Sequence, residues 1–416
     1  MVYHHPERGQ ERLNLDLDKR EAVSFQPNTI YTGDCKEVLR HFPENSVDLI
    51  YLDPPFFSNK LHEVIWGDGY EMRAFEDRWK GGIENYTGWM EERLRECYRV
   101  LKEEGSMYVH CDYRANAHLR LVLDKLFGPN QILNEVIWYY RGGGVPKDSF
   151  ARRHDTIFLY AKGSKWTFNV DAVRTAYSEE SLERLEYIAR SFRGNRVYDT
   201  YRPNPKGKHP DDVLEIQPTM PSSKERLGYP TQKPERLLDV LVKASSNKND
   251  IVLDPFCGCG TAIAVAQKLG RRWVGIDVSP TACKLMAKRI HSITKRRVEI
   301  IGLPKTTAEL KGLQPFEFQN WVFEKLYARV NPRKTGDFGI DGWLIDGSPV
   351  QVKQSEDVGR NVVDNFETAM RRIGKDTGVI VAFSFGKGAF EEVARVKNEG
   401  GLMITLKLVE EILKET

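Results

Sequence analysis

The sequence predicts an α/β fold in which a mostly parallel, doubly wound sheet is followed by a second, smaller α/β domain. Short apolar segments alternate with segments of three- and four-residue apolar spacing, which is typical of buried strands connected by helices. A short segment with a proline, residues 303–313, precedes a new helical pattern and a further apolar strand. The chain of 416 residues has room for both units, because domains average ~150 residues.

Each element of the main sheet is predicted from its local pattern. Five apolar segments predict strands: Val47–Leu52, Ser106–His110, Ile157–Tyr160, Ile251–Leu253 and Trp273–Ile276. Three segments predict helices: Glu91–Leu101, Pro234–Ser246 and Ala262–Leu269. These patterns place an N-terminal extension at 1–27, the main domain at 28–300, a linker at 301–312 and the second domain at 313–416.

The composition excludes several classes of protein. Apolar residues make up 40% of the chain and charged residues 29%, so the chain is neither fibrous nor wholly disordered. No apolar run approaches the ~18 residues that span a bilayer, and the N-terminus lacks the apolar core of a secretory signal. The six cysteines form no regular framework. We therefore expect a cytoplasmic protein without a membrane partner.

Basic residues are concentrated in the middle of the chain, although the net charge is only +3. Segment 163–228 has weak periodicity and many Arg, Tyr and Pro residues, and stretch 141–165 is also basic. Either patch alone would indicate a solvated face, but both are interleaved with aromatic residues, which favours contacts with nucleic acid. Four residues of the later patch are predicted to bind DNA: Arg193, Arg196, Arg202 and Lys206.

The segment IVLDPFCGCGT contains the fourth predicted strand and the glycine-rich turn that follows it. Asp254 ends that strand, and Gly258 and Gly260 allow the backbone to approach a ligand. The next strand ends in Asp277, at the spacing of a carboxylate that binds ribose hydroxyls. Because the turn lacks the G-x-G-x-x-G pattern, a nucleoside with a zwitterionic tail fits it better than a pyrophosphate does. The C-x-C inside it has no further ligands at zinc spacing.

A second turn, VDLIYLDPPFFSN, brings Asp53 to the C-terminal end of the first predicted strand, where open α/β sheets bind ligands. Pro54 and Pro55 hold this turn rigid and remove two N–H donors. A carboxylate and carbonyl oxygens therefore lie beside Phe56. This set accepts hydrogen bonds from an NH2 group and stacks on a flat ring, which suits the exocyclic amine of a nucleobase.

Together with TQKPERLL, these turns resemble the amino-group DNA methyltransferases, and their order resembles the permuted β class. The resemblance implies a Rossmann-like domain with a target-recognition segment at 163–228, S-adenosylmethionine as cofactor, and double-stranded DNA as substrate. It implies a catalytic motif formed by Asp53, Pro54, Pro55 and Phe56. It also implies a cofactor site formed by Asp34, Lys233, Asp254, Phe256, Gly258, Gly260 and Asp277. Asp in the first catalytic position usually accompanies adenine in this family, so adenine N6 is the expected target and cytosine N4 the alternative.

Residues 314–354 resemble the Mrr-like branch of the PD-(D/E)XK nucleases. A helix carries Glu317 or Glu324, a Gly/Asp turn presents Asp341, and Gln351 and Lys353 alternate along the following strand. The resemblance implies that Asp341 binds a Mg²⁺ ion, that Gln351 assists, and that Lys353 stabilises the attacked phosphate. Because Gln is a poorer ligand than a carboxylate, a nuclease fold that only binds DNA is the alternative.

The sequence therefore predicts a site-specific adenine-N6 DNA methyltransferase fused to a small restriction-endonuclease-like α/β domain, as in restriction–modification. The rival of a different class is a DNA-binding protein without catalytic activity. Double-stranded DNA and a second copy of the chain are the expected partners.

Overall fold

The computed structural model describes residues 25–58, 60–65, 71–77, 81–142, 144–181, 192–193, 196–197, 204–220, 222–223, 225–229, 232–331 and 339–415. The strands up to residue 301 are β1 (Thr29–Thr32), β2 (Val47–Leu52), β3 (Lys60–Ile65), β4 (Glu71–Asp77), β5 (Leu101–Cys111), β6 (Ile132–Tyr139), β7 (His154–Ala161), β8 (Phe192–Arg193), β9 (Arg196–Val197), β10 (Val213–Glu215), β11 (Ile251–Asp254), β12 (Arg272–Asp277) and β13 (Ile300–Ile301). The helices between them are α1 (Cys35–Leu39), α2 (Gly82–Val100), α3 (Asn116–Phe127), α4 (Glu235–Ser245), α5 (Thr261–Lys268) and α6 (Pro280–Thr294).

Nine of these strands form one sheet in the order β10-β6-β7-β5-β2-β11-β12-β1-β13. Neighbouring strands are parallel except at β7, which is antiparallel to both β5 and β6. Strands β2 and β11 are neighbours, and the chain leaves them towards opposite edges of the sheet. The turn after β2 and the turn after β11 therefore meet at the switch point, where open α/β sheets bind ligands.

The central strands are buried on both sides, as a parallel sheet covered by helices requires. All but one residue of β2 are buried, and all four residues of β11 are buried. One face packs against α2 through residues such as Met90 and Leu94, and the other packs against α4 through Leu237 and Leu241. The predicted mostly parallel, doubly wound sheet is confirmed.

The structure also differs from the sequence-based expectation in places. Helix α2 begins nine residues before the predicted helix Glu91–Leu101, at Gly82. The end of the predicted recognition segment forms β10, which extends the main sheet by pairing with β6. Its apolar period was too short to detect, because only three residues pair. Strands β3 and β4 form an antiparallel hairpin after the Asp53 turn.

The second sheet lies in the C-terminal part of the chain. Its elements are α7 (Thr307–Lys311), α8 (Pro315–Leu326), β14 (Arg329–Val330), β15 (Gly342–Trp343), β16 (Pro349–Val352), α9 (Arg360–Ile373), β17 (Thr377–Ala382), α10 (Lys387–Gly400), β18 (Met403–Leu408) and α11 (Val409–Lys414). The strands follow the chain order, antiparallel from β14 to β16 and parallel from β16 to β18. Helices α9 and α10 cover one face, and α8 and α11 cover the other.

None of the helices in the described part of the chain has the length and hydropathy that a bilayer crossing requires.

Candidate active site

Asp53 directly follows β2, and its two carboxylate oxygens have different surroundings. Oδ2 accepts a hydrogen bond from Lys233 Nζ at 2.7 Å. Oδ1 is buried, has no hydrogen-bond partner among the described residues, and lies 3.8 Å from Nδ1 of His110. One oxygen is therefore paired with a cation, while the other has lone pairs for an N–H donor.

A buried histidine stands behind Asp53, held from both sides. His110 Nδ1 lies 2.9 Å from the Tyr51 hydroxyl, and its Nε2 lies 3.3 Å from Oδ2 of Asp155. The Tyr140 hydroxyl donates to the other oxygen of Asp155 at 3.2 Å. Burial raises the pKa of Asp155, but the hydrogen bond and charge of His110 and the charge of Lys233 outweigh it, so the net pKa is lowered.

His110 and Asp155 were not predicted as site residues from the sequence. The position of His110 near the end of the second predicted strand could have indicated its place in the site. That strand, β5, is a parallel neighbour of β2 and ends at the same edge of the sheet. Asp155 begins β7, whose antiparallel direction brings its first residues to that edge. Nothing in the local pattern predicts that direction.

Phe56 forms an aromatic surface next to the Asp53 carboxylate. Its ring centroid lies 5.4 Å from that of His110, and Lys233 Nζ lies 5.0 Å from the Phe56 ring centre. The turn is fixed from the other side, since the Tyr86 hydroxyl donates to the Pro55 carbonyl at 2.7 Å. The following Phe57 has φ 59°, a left-handed conformation that is rare for a bulky residue. The Asp53 turn is thus a rigid acceptor with a flat apolar ring beside it.

Two carboxylates lie at the glycine turn, Asp254 buried and Asp277 partly buried. Asp254 Oδ1 accepts from the Phe256 amide at 3.1 Å, and burial raises the pKa of Asp254 well above its usual value. Asp277 accepts from the amides of Gly258 at 2.8 Å and Ser279 at 2.9 Å. Burial raises the pKa of Asp277 to about 6. Each Asp277 oxygen uses one backbone donor and keeps a lone pair for a hydroxyl group.

Two glycines of this turn cannot be replaced without strain. Gly258 has φ 51° and Gly260 has φ 77°, both in the left-handed region. A Cβ on Gly260 would lie 2.6 Å from Met286 Cγ, and one on Gly258 would lie 3.0 Å from the Tyr229 ring. The turn therefore packs directly on α6 and on Tyr229.

Asp34 and Phe256 belong to one connected cluster. The Asp34 side chain caps α1 by accepting from the Lys36 amide at 3.0 Å, and it forms an ion pair with Arg93. The Arg93 guanidinium lies 3.6 Å over the Trp89 ring, and that ring lies 5.8 Å from Phe256. These contacts give Asp34 a structural role, and its predicted contact with the cofactor stays a prediction.

The predicted DNA-binding residues lie largely outside the described residues. Arg202 is outside them, and for Arg193 and Arg196 only the backbone is described, in β8 and β9. Lys206 is exposed and pairs with Asp171 Oδ2 at 2.5 Å. The prediction for these four residues stays a prediction.

In the C-terminal sheet, Asp341 and Gln351 come together where β15 and β16 pair. The Asp341 amide donates to Val350 O at 2.9 Å, and Asp341 Oδ2 accepts from the Val352 amide at 2.7 Å. Gln351 lies between these two contacts, and its buried Oε1 has no hydrogen-bond partner among the described residues. Lys353 directly follows β16 and is partly buried. The alternation of Gln351 and Lys353 on one face of a strand stays a prediction, because the strand ends at Val352.

In the described part of the chain, three acidic side chains on α9 and α10 lie close enough together to hold a metal ion: Asp364, Glu367 and Glu392. Arg395 pairs with both glutamates of this group, and Arg360 pairs with Glu392 at 3.1 Å. These arginines balance its charge, so the group is an ion-pair network on the helices that cover the sheet.

Comparison with known protein families identifies both parts of the chain. A model of the DNA methylase family matches residues 47–289, more than half of the chain. The chain belongs to the DNA methylase family. A restriction endonuclease family model matches residues 310–413. The predicted fusion of an N6/N4-type methylase domain to an endonuclease-like domain, as in restriction–modification, is confirmed.

Two curated relatives match the methylase domain. Type II methyltransferase M.HinfI of Haemophilus influenzae is 31% identical over 293 residues, which cover 68% of this chain and 74% of that protein. DNA adenine methyltransferase YhdJ of Escherichia coli (strain K12) is 32% identical over 272 residues, which cover 64% of this chain and 83% of that protein.

Solved structures of DNA methyltransferases also match part of this chain, at lower sequence identity. TTHA0409 of Thermus thermophilus, crystallised with S-adenosyl-L-methionine, is 21% identical with a TM-score of 0.43, covering 66% of this chain and 98% of that one. The cytosine-N4-specific PvuII DNA methyltransferase is 18% identical with a TM-score of 0.46, covering 65% of this chain and 89% of that one. The predicted cofactor of the methylase domain, S-adenosylmethionine, is confirmed by the family.

Glu317 of the endonuclease-like domain contacts the methylase domain. Its Oε1 accepts from the Ser279 hydroxyl, and its Oε2 accepts from the Thr281 hydroxyl at 2.8 Å. Ser279 is the N-cap of α6 and closely follows the carboxylate of Asp277. Burial raises the pKa of Glu317 to about 7. Both oxygens of Glu317 are thus engaged at the domain interface, and its predicted place in a nuclease site has no support from these contacts.

Proposed function

We propose that this chain methylates adenine N6 in double-stranded DNA, with Asp53 as the acceptor that orients the target amine. One observation carries the proposal. The buried Oδ1 of Asp53, beside the Phe56 ring, has no hydrogen-bond partner among the residues that the structure describes. The Asp in this position supports adenine, as does the adenine-specific name of the relative YhdJ. Cytosine N4 is the competing target, because its exocyclic amine offers the same donors.

The hydrogen-bonding groups of the cofactor site fit S-adenosylmethionine. Asp277 has lone pairs for the ribose hydroxyls, because each of its oxygens accepts from one backbone amide. Lys233 would contact the methionine carboxylate, and its ammonium already lies 2.7 Å from Asp53. S-adenosylmethionine supplies an electrophilic methyl group on a sulfonium.

The chain's own residues then position the target. The duplex hides the adenine amine, so the nucleotide has to be flipped out of the stack. Phe56 stacks on the flipped base, and Asp53 Oδ1 accepts one N–H of the amine. This contact directs the nitrogen lone pair away from the carboxylate and towards the methyl group, and it stabilises the positive charge that develops on nitrogen. Lys233 holds the other carboxylate oxygen at 2.7 Å, and His110 Nδ1 lies 3.8 Å from Oδ1.

Two substitutions separate catalysis from cofactor binding. Asp53→Ala should reduce methylation at least about 100-fold, because a charge-assisted hydrogen bond of ~3 kcal/mol is lost. Its affinity for S-adenosylmethionine, measured by calorimetry, should stay within about threefold. Asp277→Ala should instead weaken cofactor binding about tenfold or more. Equal loss of cofactor affinity in both variants would contradict the assignment.

We also propose that the endonuclease-like domain cleaves DNA with a divalent metal. Asp341 and the carbonyl oxygen of Gln351 are oxygen donors, which suit Mg²⁺ or Mn²⁺, and the metal would activate water and neutralise the phosphate. Lys353 would stabilise the attacked phosphate. A single carboxylate makes a weak site, so we expect cleavage only at millimolar Mg²⁺ or with Mn²⁺, and only on DNA in the wrong methylation state.

Plasmid nicking tests this second activity. Lys353→Ala should abolish nicking, whereas Asp53→Ala should leave it intact, because the methylase site takes no part in the cut. Lys387→Ala is the matched control, since Lys387 is 91% exposed on α10. If neither metal supports cleavage, or if Lys353→Ala cuts like the wild type, the domain only binds DNA.

A further inference from the structure

The loop between β6 and β7, residues 141–153, begins and ends beside the methylation site. The Tyr140 amide donates to the Arg153 carbonyl at 2.8 Å, which closes the base of the loop. The Tyr140 hydroxyl donates to Asp155, and Asp155 contacts His110 behind Asp53. The loop therefore rises from the rim of the site that has to receive a flipped base.

An aromatic residue on this loop is almost completely in solvent. Phe150 is 97% exposed, more than any other large apolar side chain among the described residues, and Val145 on the same loop is 81% exposed. Phe150 lies five residues before Asp155, so it is at most about 17 Å away along an extended chain. Covering a Phe ring that is exposed to water lowers the free energy, so such a ring favours a partner that buries it.

The charges around Phe150 indicate the chemistry of that partner. Lys147 and Arg152 are exposed on the loop, together with the acidic Asp148, whereas the exposed Arg141 pairs with Glu215 at 2.7 Å. The Arg152 guanidinium lies 4.2 Å over the Tyr113 ring. Because Tyr113 closely follows β5, this contact holds the C-terminal part of the loop over the strand that carries His110. An apolar ring with exposed cations on both sides complements a base stack between phosphate backbones.

We propose that Phe150 inserts into the duplex and fills the space that the flipped target base leaves, while Lys147 and Arg152 contact the flanking phosphates. The inference rests on the proposed methylation of a flipped base. Stacking of a base on an aromatic side chain contributes ~1–3 kcal/mol, which corresponds to roughly 5- to 150-fold in an equilibrium constant. Phe150 would thus stabilise the flipped state and take no part in methyl transfer itself.

The test compares two substrates with the full chain and S-adenosylmethionine. Modification mapping of DNA from expressing cells first gives the recognition sequence. One oligonucleotide duplex carries this sequence with a paired target, and the other places the target opposite an abasic site, where flipping costs less. Phe150→Ala should lower kcat/KM on the paired duplex about 10- to 100-fold and on the abasic duplex less than about threefold. Phe150→Trp should retain activity on both duplexes.

Phe390→Ala is the matched control, because Phe390 is a 57% exposed phenylalanine on the endonuclease-like domain. This variant should methylate both duplexes like the wild type. Unchanged activity of Phe150→Ala on the paired duplex would overturn the inference, and so would an equal loss on both duplexes, which would place Phe150 in the base pocket. If the wild type methylates neither duplex, the proposed function itself fails.

Discussion

The buried carboxyl group of Glu317 makes the contact between the two domains sensitive to pH. Glu317 is 4% exposed and accepts from the Ser279 and Thr281 hydroxyls, and burial raises its pKa from 4.5 to about 7. Between these values the folded state binds more protons than the unfolded state does. The contribution of the Glu317 carboxyl group to the free energy of unfolding is therefore fully present below pH 4.5 and is lost as the pH rises through 7. The whole loss is roughly 3 kcal/mol, at about 1.36 kcal/mol per pKa unit.

Glu317→Gln replaces this group with a neutral isostere. The variant has no buried charge at high pH, so its Tm relative to the wild type should rise by a few degrees between about pH 5.5 and pH 8.5. Thermal unfolding of both proteins across this range measures the difference. Asp277 titrates in both proteins, so its contribution largely cancels.

Glu324→Gln is the control for this experiment, since Glu324 is on the same helix and forms a half-exposed ion pair with Lys284. Its Tm difference from the wild type should be small and should not depend on pH. If the Tm difference of Glu317→Gln is the same at both pH values, or falls as the pH rises, Glu317 is not a buried carboxyl group of raised pKa.

Three further predictions concern the methylase domain. His110→Asn should lower kcat about 10- to 100-fold and leave the KM for S-adenosylmethionine unchanged, because His110 acts through Asp53; a change in that KM alone would contradict this. Cofactor binding should weaken below pH 6, where Asp277 gains a proton, and calorimetry on Asp277→Asn should show weaker binding without this pH dependence. Replacing all four predicted DNA-binding residues (Arg193, Arg196, Arg202 and Lys206) with Ala should reduce the log–log salt slope of DNA binding by about 0.9 per phosphate contact. An unchanged slope would show that these residues form an ordinary solvated surface.

The parts of the site that follow strands directly were predictable from the sequence. Asp53 and Asp277 each end a short apolar segment, and a parallel strand delivers its last residue to one edge of the sheet. The positions of Gly258 and Gly260 in the turn after β11 were predictable as well, because a glycine-rich segment directly follows that apolar strand. The sequence pattern also separated the second domain, because its helix and strands form their own periodic unit.

Other features depend on contacts between distant segments, which no local pattern contains. Asp155 reaches His110 only because β7 runs antiparallel to its neighbours. Glu317 has the spacing of a nuclease helix residue, yet its partners are the hydroxyls of another domain. Asp34 precedes the helix of CKEVL directly, so its role as an N-cap could have been read from that position.

The identity of the methylated base tests the central claim most directly. DNA from cells that express the protein, and DNA from cells that express Asp53→Ala, would be digested to nucleosides and analysed by mass spectrometry. We predict N6-methyladenine with the wild type and none above background with the variant. N4-methylcytosine alone would contradict the adenine assignment, and equal methylation by the Asp53→Ala variant would contradict the role of Asp53.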